Sequence, residues 1–287
     1  MARILIWIAG AMPVALRRAL LGGPDKPSWL AGAFHRLLNR LPAERFPVLS
    51  CRGPLEGLRM RIDWKTQRSF VYGTWEPEVT AALQAQIRPG MNVLDIGAHV
   101  GFFSLLLARL VGPRGQVTSF EPMPNNYARL VENLRLNQLE QVTAVNLAVL
   151  ARSGEMEANA PEGEPYSGSI SLYQDYGTPR IRVQATSLDE YLTPSGRRVD
   201  FIKMDVEGAE GDVLRGGMET IRRFRPVFLI ELHHFDGNVS GNPVPEMLQA
   251  EGYAVTWINR WEFTSHILAL PGNSPDGARA SAGEAAS

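Results

Sequence analysis

The sequence predicts an α/β protein built on a doubly wound, mostly parallel sheet with helices on both faces. Two observations carry that prediction. Apolar runs of strand length alternate with longer runs of helix length from residue 92 to residue 258, as they do when parallel strands are joined by helical crossovers. The first strand also runs into an acidic residue and a glycine-bracketed turn, Val93-Leu94-Asp95-Ile96-Gly97-Ala98-His99-Val100-Gly101, before an apolar helix opens at Phe102-Phe103-Ser104. Strand, tight loop and helix N-terminus together bring backbone N–H groups up to a nucleotide-like ligand.

In chain order, residues 1 to about 60 are rich in Pro and Arg and are expected to form an accessory helical cap. Gly57 to Asp63 alternates apolar and polar residues, as a half-exposed strand does. Glu76 to Ile87 predicts a helix, closed by Pro89-Gly90. Strand 92–96 and helix 102–111 follow, then strand 116–121, helix 124–137 and strand 142–147. Residues 151–186, dense in Gly, Pro and Ser, break the rhythm. Two β-like patches there, Gly168 to Tyr173 and Arg180 to Thr186, predict an inserted β-hairpin region. Ser187 with Glu190 three residues on predicts a short capped helix to Leu192. The alternation resumes with strand Phe201 to Asp205, helix Glu210 to Phe224, strand Val227 to Leu232, helix Val244 to Glu251 and strand Tyr253 to Ile258. Ile267 to Leu270 is expected as a final edge strand. The resulting division is an accessory segment over 1–67, a main domain over 68–270 and a disordered tail over 271–287, rich in Gly, Ser, Ala and Pro.

Composition bounds the function. Lys+Arg at 29 against Asp+Glu at 30 leave a net charge of -1, so no basic surplus exists to hold a phosphate backbone and no nucleic-acid partner is expected. The single cysteine, Cys51, excludes an internal disulfide and a Cys-based zinc site and fits a reducing, cytoplasmic setting. Ile4 to Leu16 is an apolar run flanked by Arg3 and Arg17-Arg18 and interrupted by Pro13. It is shorter than the roughly 20 residues that span a bilayer. Three readings stay open for residues 1–21: a helix packed on its own domain or on a dimer partner, a peripheral membrane contact, or a cleaved signal.

The motifs carry the chemistry. The spacing Gly97-x-x-x-Gly101 is not the G-x-G-x-x-G of a dinucleotide binder; it points to S-adenosylmethionine, a ligand with a sulfonium, an amino-acid end, a ribose diol and an adenine. Asp95 can accept from loop N–H groups or, through water, from the ligand's ammonium. Glu121 closes the second strand, 26 residues after Asp95 and near the spacing of about 20 at which an acidic residue meets a ribose. A merely solvated strand-end glutamate would look the same in isolation. Ala148 leaves space where an adenine edge would lie. The fourth strand closes in Asp205-Val206-Glu207-Gly208, then Ala209-Glu210. Carboxylates there favour a sulfonium, hold a proton or bind Mg²⁺, or else cap the next helix. The fifth strand closes in Glu231-Leu232-His233-His234. Alternation puts Glu231 and His233 on one side and His234 on the other, and a histidine at this edge suits a general base.

Taken together, Tyr72-Gly73-Thr74-Trp75-Glu76-Pro77-Glu78, the glycine loop, Phe120-Glu121-Pro122, Leu188-Asp189-Glu190-Tyr191, Ile202-Lys203-Met204-Asp205-Val206-Glu207-Gly208-Ala209-Glu210, and Arg225-Pro226 with Ile230-Glu231-Leu232-His233 resemble the FkbM-type methyltransferases. These are a branch of the class I S-adenosylmethionine-dependent enzymes, and the resemblance covers about residues 68 to 258. It implies a seven-stranded Rossmann-like fold and methyl transfer to an oxygen, commonly a hydroxyl of a sugar, polyketide or other natural product. The cofactor set expected on this basis is Glu76, Asp95, Gly97, Ala98, His99, Gly101, Phe102, Glu121, Pro122, Ala148 and Asp205. The family usually has Asn at the place of His99. His233, Asp205 and Glu207 are the catalytic candidates. Tyr166, Ser167, Ser169, Glu231 and His234 are expected to read a small-molecule acceptor, and Asp205, Glu207 and Glu231 offer a minor Mg²⁺ option. A non-catalytic binder of the same fold and a nicotinamide-dependent oxidoreductase are the rivals, and a homodimer stays open.

Overall fold

The computed structural model describes residues 45–159, 177, 180–194, 196–234, 241–261 and 263–272. The described chain enters through a ribbon, β1 (Val48–Ser50) antiparallel to β2 (Arg59–Arg61), and two helices, α1 (Arg68–Tyr72) and α2 (Pro77–Gln86). The alternating core begins with β3 (Asn92–Ile96), α3 (Phe102–Val111), β4 (Gln116–Phe120), α4 (Pro124–Leu136) and β5 (Val142–Val145). A small second sheet follows, from β6 (Ala148–Val149), β7 (Gly154–Ala158) and β8 (Ile181–Thr186), and leads into α5 (Leu188–Leu192). The core then resumes with β9 (Phe201–Met204), α6 (Glu210–Arg215), α7 (Met218–Phe224), β10 (Val227–His233), α8 (Val244–Ala250), β11 (Tyr253–Arg260) and β12 (Thr264–Pro271).

The main sheet runs β11-β12-β10-β9-β3-β4-β5. Only β12 is reversed, antiparallel to β10 and β11 alike. The central strands β3 and β9 are apolar and buried along nearly their whole length, as strands covered on both faces must be. Helix α3 is apolar around most of its circumference and buries eight of its ten residues, which fits a helix sunk in the core rather than lying on it.

The ribbon belongs to this core. Leu49, Met60 and Ile62 are buried in one cluster with Val93, Leu105 and Leu106. Its outer edge is pegged by side chains: Arg61 N–H donates to Asn133 Oδ1 at 2.7 Å, and Arg59 N–H to Asn137 Oδ1 at 2.8 Å. Two such bonds contribute about 1 kcal/mol each. Residues from 45 onward are therefore continuous with the domain that the sequence appeared to begin at 68.

Two expectations are corrected. The helix expected over Glu210 to Phe224 is two helices, broken at Gly216-Gly217. Two neighbours press on the break: a Cβ on Gly216 would lie 2.1 Å from the Leu150 carbonyl oxygen, and one on Gly217 would lie 2.8 Å from Leu188 Cδ1. Asp189 caps the second helix, accepting from Glu219 N–H and Thr220 N–H at 3.0 and 2.8 Å. The strand expected at the edge, Ile267 to Leu270, is part of β12 and lies inside the sheet, and β11 forms the edge. Its burial shows why: Ser265, His266, Ile267 and Ala269 are covered, whereas β11 alternates towards solvent. The inserted hairpin pairs β8 with Gly154–Ala158; the patch at Gly168 to Tyr173 lies outside the described residues, as do residues 1–44 and 273–287. Among the described residues, no helix is long and apolar enough to cross a membrane.

Candidate active site

The strand ends of β3 and β4 are tied to each other by their loops. Gly97 N–H and Ala98 N–H both donate to the Phe120 carbonyl, at 3.0 and 2.9 Å. His99 N–H donates to Glu121 Oε2 at 2.8 Å, Met123 N–H to Glu121 Oε1 at 3.0 Å, and Asn126 Nδ2 to the same oxygen at 3.4 Å. Glu121 is thereby clamped at the mouth of β4. Burial pushes its carboxyl up to about 7 even against those three donors. A carboxylate has about four acceptor sites, so capacity remains for a ribose hydroxyl.

The loop's composition follows from packing as well as from any ligand. Gly97 has φ +83°, and a Cβ there would lie 1.7 Å from the Asp205 carbonyl oxygen; at Gly101, φ +97°, it would lie 2.8 Å from Leu130 Cδ1. His99 sits at φ +51°, in the left-handed region where Asn and His are both enriched. The family's usual Asn and this chain's His therefore meet the same backbone demand. The contact with Glu121 is made by the His99 N–H, which does not depend on the side chain.

Asp95 lies between Ser119 and Lys203 in register across three strands. It is wholly buried, accepting from Ser104 Oγ at 2.6 Å and standing 3.8 Å from Lys203 Nζ. Lys203 Nζ is also 3.5 Å from Asp205 Oδ2. Burial alone would discharge this lysine, but Asp205, Asp95, Glu76 and Glu231 raise its pKa and keep it charged.

A second constellation fills the ends of β9, β10 and β12. His233 Nδ1 is 2.9 Å from Glu210 Oε1, and its Nε2 is 3.2 Å from Glu207 Oε2 and 4.0 Å from both Asp205 Oδ1 and Glu231 Oε1. Glu210 Oε1 also accepts from Gly208 N–H at 3.0 Å. Strand register sets Glu231 opposite His266, whose Nε2 lies 3.4 Å from Glu231 Oε2 and 3.6 Å from Glu76 Oε2. Among the described residues five non-glycine residues have positive φ, and three of them, Glu76, His99 and Glu207, ring this region. Backbone strain of this kind collects at functional sites.

Six carboxylates (Glu76, Asp95, Asp205, Glu207, Glu210 and Glu231) face three basic groups, Lys203, His233 and His266. Burial works against charge on both histidines, yet the surrounding carboxylates hold His233 up at about 10 and His266 at about 9. Burial and the Glu231 charge push Asp205 up to about 6, against Lys203 and His233. Burial takes Glu207 to about 8 despite His233. Burial also opposes ionisation of Glu231, but His266, His233 and Lys203 outweigh it and hold that carboxyl at about 2. Such groups titrate as a set rather than singly. Asp205 is the most open, its side chain 29% exposed against 6% for His233.

Among the expected cofactor residues, Ala98, Gly101 and Phe102 lie buried at the start of α3, Pro122 is half-buried beside Glu121, and Ala148 is buried in β6. Glu76 stands apart from them, at the far side of the acid–imidazole cluster. Asp205, Glu231 and His233 bring their ligand atoms within 4.8 Å of one another; Glu207 joins them through His233. His234 turns the other way, buried, with its N–H on the Phe263 carbonyl at 2.8 Å. Tyr166, Ser167 and Ser169 lie outside the described residues. Sequence reasoning passed over Lys203, Glu210 and His266 as site residues. A lysine in the middle of the apolar strand Phe201-Ile202-Lys203-Met204 was the available signal; His266 was hidden by the edge-strand reading.

The donor set fits S-adenosylmethionine. Glu121 offers a fixed carboxylate for the ribose, and the N-terminus of α3 has no side-chain cap and so suits the ligand's carboxylate. The carboxylate excess next to it suits a cation. The sequence profile of the methyltransferase FkbM domain matches residues 95–255. The chain is 30% identical over 194 residues to the 2-O-methyltransferase NoeI of Sinorhizobium fredii, covering 60% of this chain and 78% of that protein. It is 24% identical over 184 residues to Methyltransferase 1 of Beauveria bassiana, covering 57% and 72%. The crystal structure of methyltransferase FkbM from Methylobacillus flagellatus superposes with a TM-score of 0.47 at 16% identity, over 74% of this chain and 56% of that one.

Proposed function

We propose that this chain, which belongs to the FkbM methyltransferase family, transfers the methyl group of S-adenosylmethionine to a hydroxyl of a sugar, polyketide or other small natural product. Bound between the α3 N-terminus and Glu121, S-adenosylmethionine supplies a methyl group made electrophilic by its sulfonium. The chain's own residues do the rest. Glu121 accepts from the ribose, which fixes the orientation of the donor. The Asp205 and Glu207 side of the cluster favours the cation.

An acceptor hydroxyl must be aligned in line with the methyl group and must lose its proton. Asp205 is the group best placed to take it. It is the most open carboxylate of the cluster, and its pKa near 6 leaves it ionised at neutral pH. His233, buried and held between Glu210 and Glu207, serves as a fixed cation behind it rather than as the base. Glu231 and Glu207 complete the wall. The observation that carries the reading is the meeting of a carboxylate clamped just past β4, Glu121, with an open carboxylate just past β9, Asp205, whose carbonyl packs directly on Gly97. An oxygen acceptor is favoured by the related 2-O-methyltransferase.

The test incubates the full chain with methyl-labelled S-adenosylmethionine and small-molecule extracts, then identifies labelled products by mass. Label on a small-molecule hydroxyl supports the proposal. Label confined to protein, nucleic acid or amines would overturn the acceptor class. Cofactor binding with no transfer to any fraction would favour a non-catalytic binder, and binding of NADH in place of S-adenosylmethionine would favour an oxidoreductase.

A further inference from the structure

The second imidazole of the cluster, His266, is not used by the proposed transfer, yet it is built into its place with care. It is 1% exposed, in the interior strand β12. Its Nδ1 is 3.1 Å from Asn259 Oδ1, and that same oxygen accepts from the His266 backbone N–H at 2.9 Å. An amide oxygen can only accept, so the Nδ1 contact requires its proton on Nδ1. That leaves Nε2 as the nitrogen facing the two carboxylates. Among the described residues Nε2 has no acceptor at ordinary hydrogen-bond geometry, only the two carboxylates whose charges hold the ring's pKa up. It points instead into the gap between Glu231 Oε2 and Glu76 Oε2, at 3.4 and 3.6 Å. Both distances are beyond the usual range for an N–H···O bond, about 2.7–3.2 Å.

They match something else. Ligand atoms about 2.1 Å from a tetrahedral metal lie about 3.4 Å from one another. The ligand atoms of Glu76, Glu231 and His266 all fall within 4.8 Å of each other. A ligating histidine characteristically gives its other N–H to a carbonyl or carboxylate, and Asn259 fills that place. Glu76 is brought in by a strained backbone, φ +37° at the N-cap of α2. The side chains of Glu76 and Glu231 remain 15% and 14% exposed, so the gap opens towards solvent on the carboxylate side. Lys203 does not fill it, being directed at Asp95 and Asp205.

We infer that Glu76, Glu231 and His266 form a site for one divalent cation of zinc type, which takes the place of the Nε2 proton of the His266 imidazolium, releasing that proton to solvent, and which keeps a fourth position open. The imidazole and the tetrahedral spacing favour Zn²⁺ over Mg²⁺, which prefers octahedral oxygen sites. Glu231 is shared: its Oε2 faces this site and its Oε1 faces His233. The ion would therefore sit one carboxylate away from the proposed transfer chemistry. The inference goes beyond the methyltransferase reading and does not depend on it.

The test titrates ZnCl₂ alone into chelator-stripped full-length protein by calorimetry, without cofactor or acceptor, and repeats the titration with CoCl₂ while recording the visible spectrum. One equivalent of Zn²⁺ and an intense tetrahedral Co²⁺ band are expected. His266→Ala should weaken binding at least about 100-fold, and Asn259→Ala, which removes only the supporting acceptor, by about 10-fold or more. Glu76→Gln keeps the side chain's size and serves if His266→Ala fails to fold. Absence of stoichiometric Zn²⁺ binding, an octahedral Co²⁺ spectrum, or undiminished affinity in both His266→Ala and Glu76→Gln would overturn the site and leave His266 as an imidazolium between two carboxylates. Cofactor binding by the stripped protein, measured in parallel, separates failure of this site from failure of the methyltransferase reading.

Discussion

The β3–β4 mouth and the β9–β10–β12 mouth stand side by side on one sheet, yet they are made of different material. The first is mostly backbone: a left-handed loop, the N-terminus of α3 and a single carboxylate held by N–H groups. The second is almost wholly side chain, with carboxylates, two imidazoles and a lysine drawn from positions as far apart as Glu76 and His266. A backbone device suits a ligand whose shape never changes. A side-chain device can be re-specified residue by residue, which suits an acceptor that differs from one relative to the next. The two meet between β3 and β9, where Gly97 packs on the Asp205 carbonyl, Asp205 N–H donates to the Ile96 carbonyl and Lys203 stands between Asp95 and Asp205.

That division can be broken experimentally. The largest effect is expected from Asp205→Asn, which removes the proposed base: turnover should fall about 10²- to 10⁴-fold, while cofactor affinity changes far less. Steady-state kinetics would show it alongside calorimetry with S-adenosylhomocysteine, which lacks the sulfonium that Asp205 favours; a parallel loss of that binding would merge the two regions into one. Gly97→Ala attacks their junction. With a left-handed φ and a Cβ placed 1.7 Å from the Asp205 oxygen, it should destabilise the fold by about 2–4 kcal/mol, from overpacking and the left-handed cost together, read as a shifted urea midpoint. Glu121→Ala should weaken S-adenosylmethionine binding about 10- to 100-fold, the equivalent of losing a charge-assisted hydrogen bond of about 1.5–3 kcal/mol.

The smallest effect is on pH. Burial raises the Glu121 carboxyl from 4.5 to about 7, so in the free protein this group carries a proton below that value. A protonated carboxyl keeps some acceptor capacity, but the ionised form is the stronger acceptor for the ribose hydroxyls. Cofactor affinity should therefore level off above about pH 8 and fall below pH 7, by about tenfold in all, since protonation weakens this contact without removing the side chain. Calorimetry across pH 5–9 checks the slope, and the Glu121→Gln variant should lose it.

The two regions also differed in how far the sequence exposed them. The glycine loop, Glu121 and the strand–helix rhythm are local patterns, each set by neighbours a few residues away, and the structure reproduces those boundaries within a residue or two. The acid–imidazole cluster depends on register. His266 reaches Glu231 only because β12 inserts beside β10, and nothing in the order of strands along the chain announces that insertion; the run appeared to be an edge. Glu210 looked like helix-dipole compensation because its partner, His233, lies a full crossover away. The break at Gly216-Gly217 was likewise invisible, being imposed by the Leu150 carbonyl and Leu188 from another part of the chain. Glycine in a helix is tolerated locally, and only the tertiary contact decides that it ends one.

The most direct test of the division is a titration of S-adenosylhomocysteine into the wild type, Glu121→Ala and His233→Asn proteins under one set of conditions. With the cofactor held by the β3–β4 mouth and the acceptor chemistry confined to the other, wild type and His233→Asn should bind alike and Glu121→Ala at least about tenfold more weakly. Equal binding by Glu121→Ala, or loss of binding in His233→Asn, would contradict it.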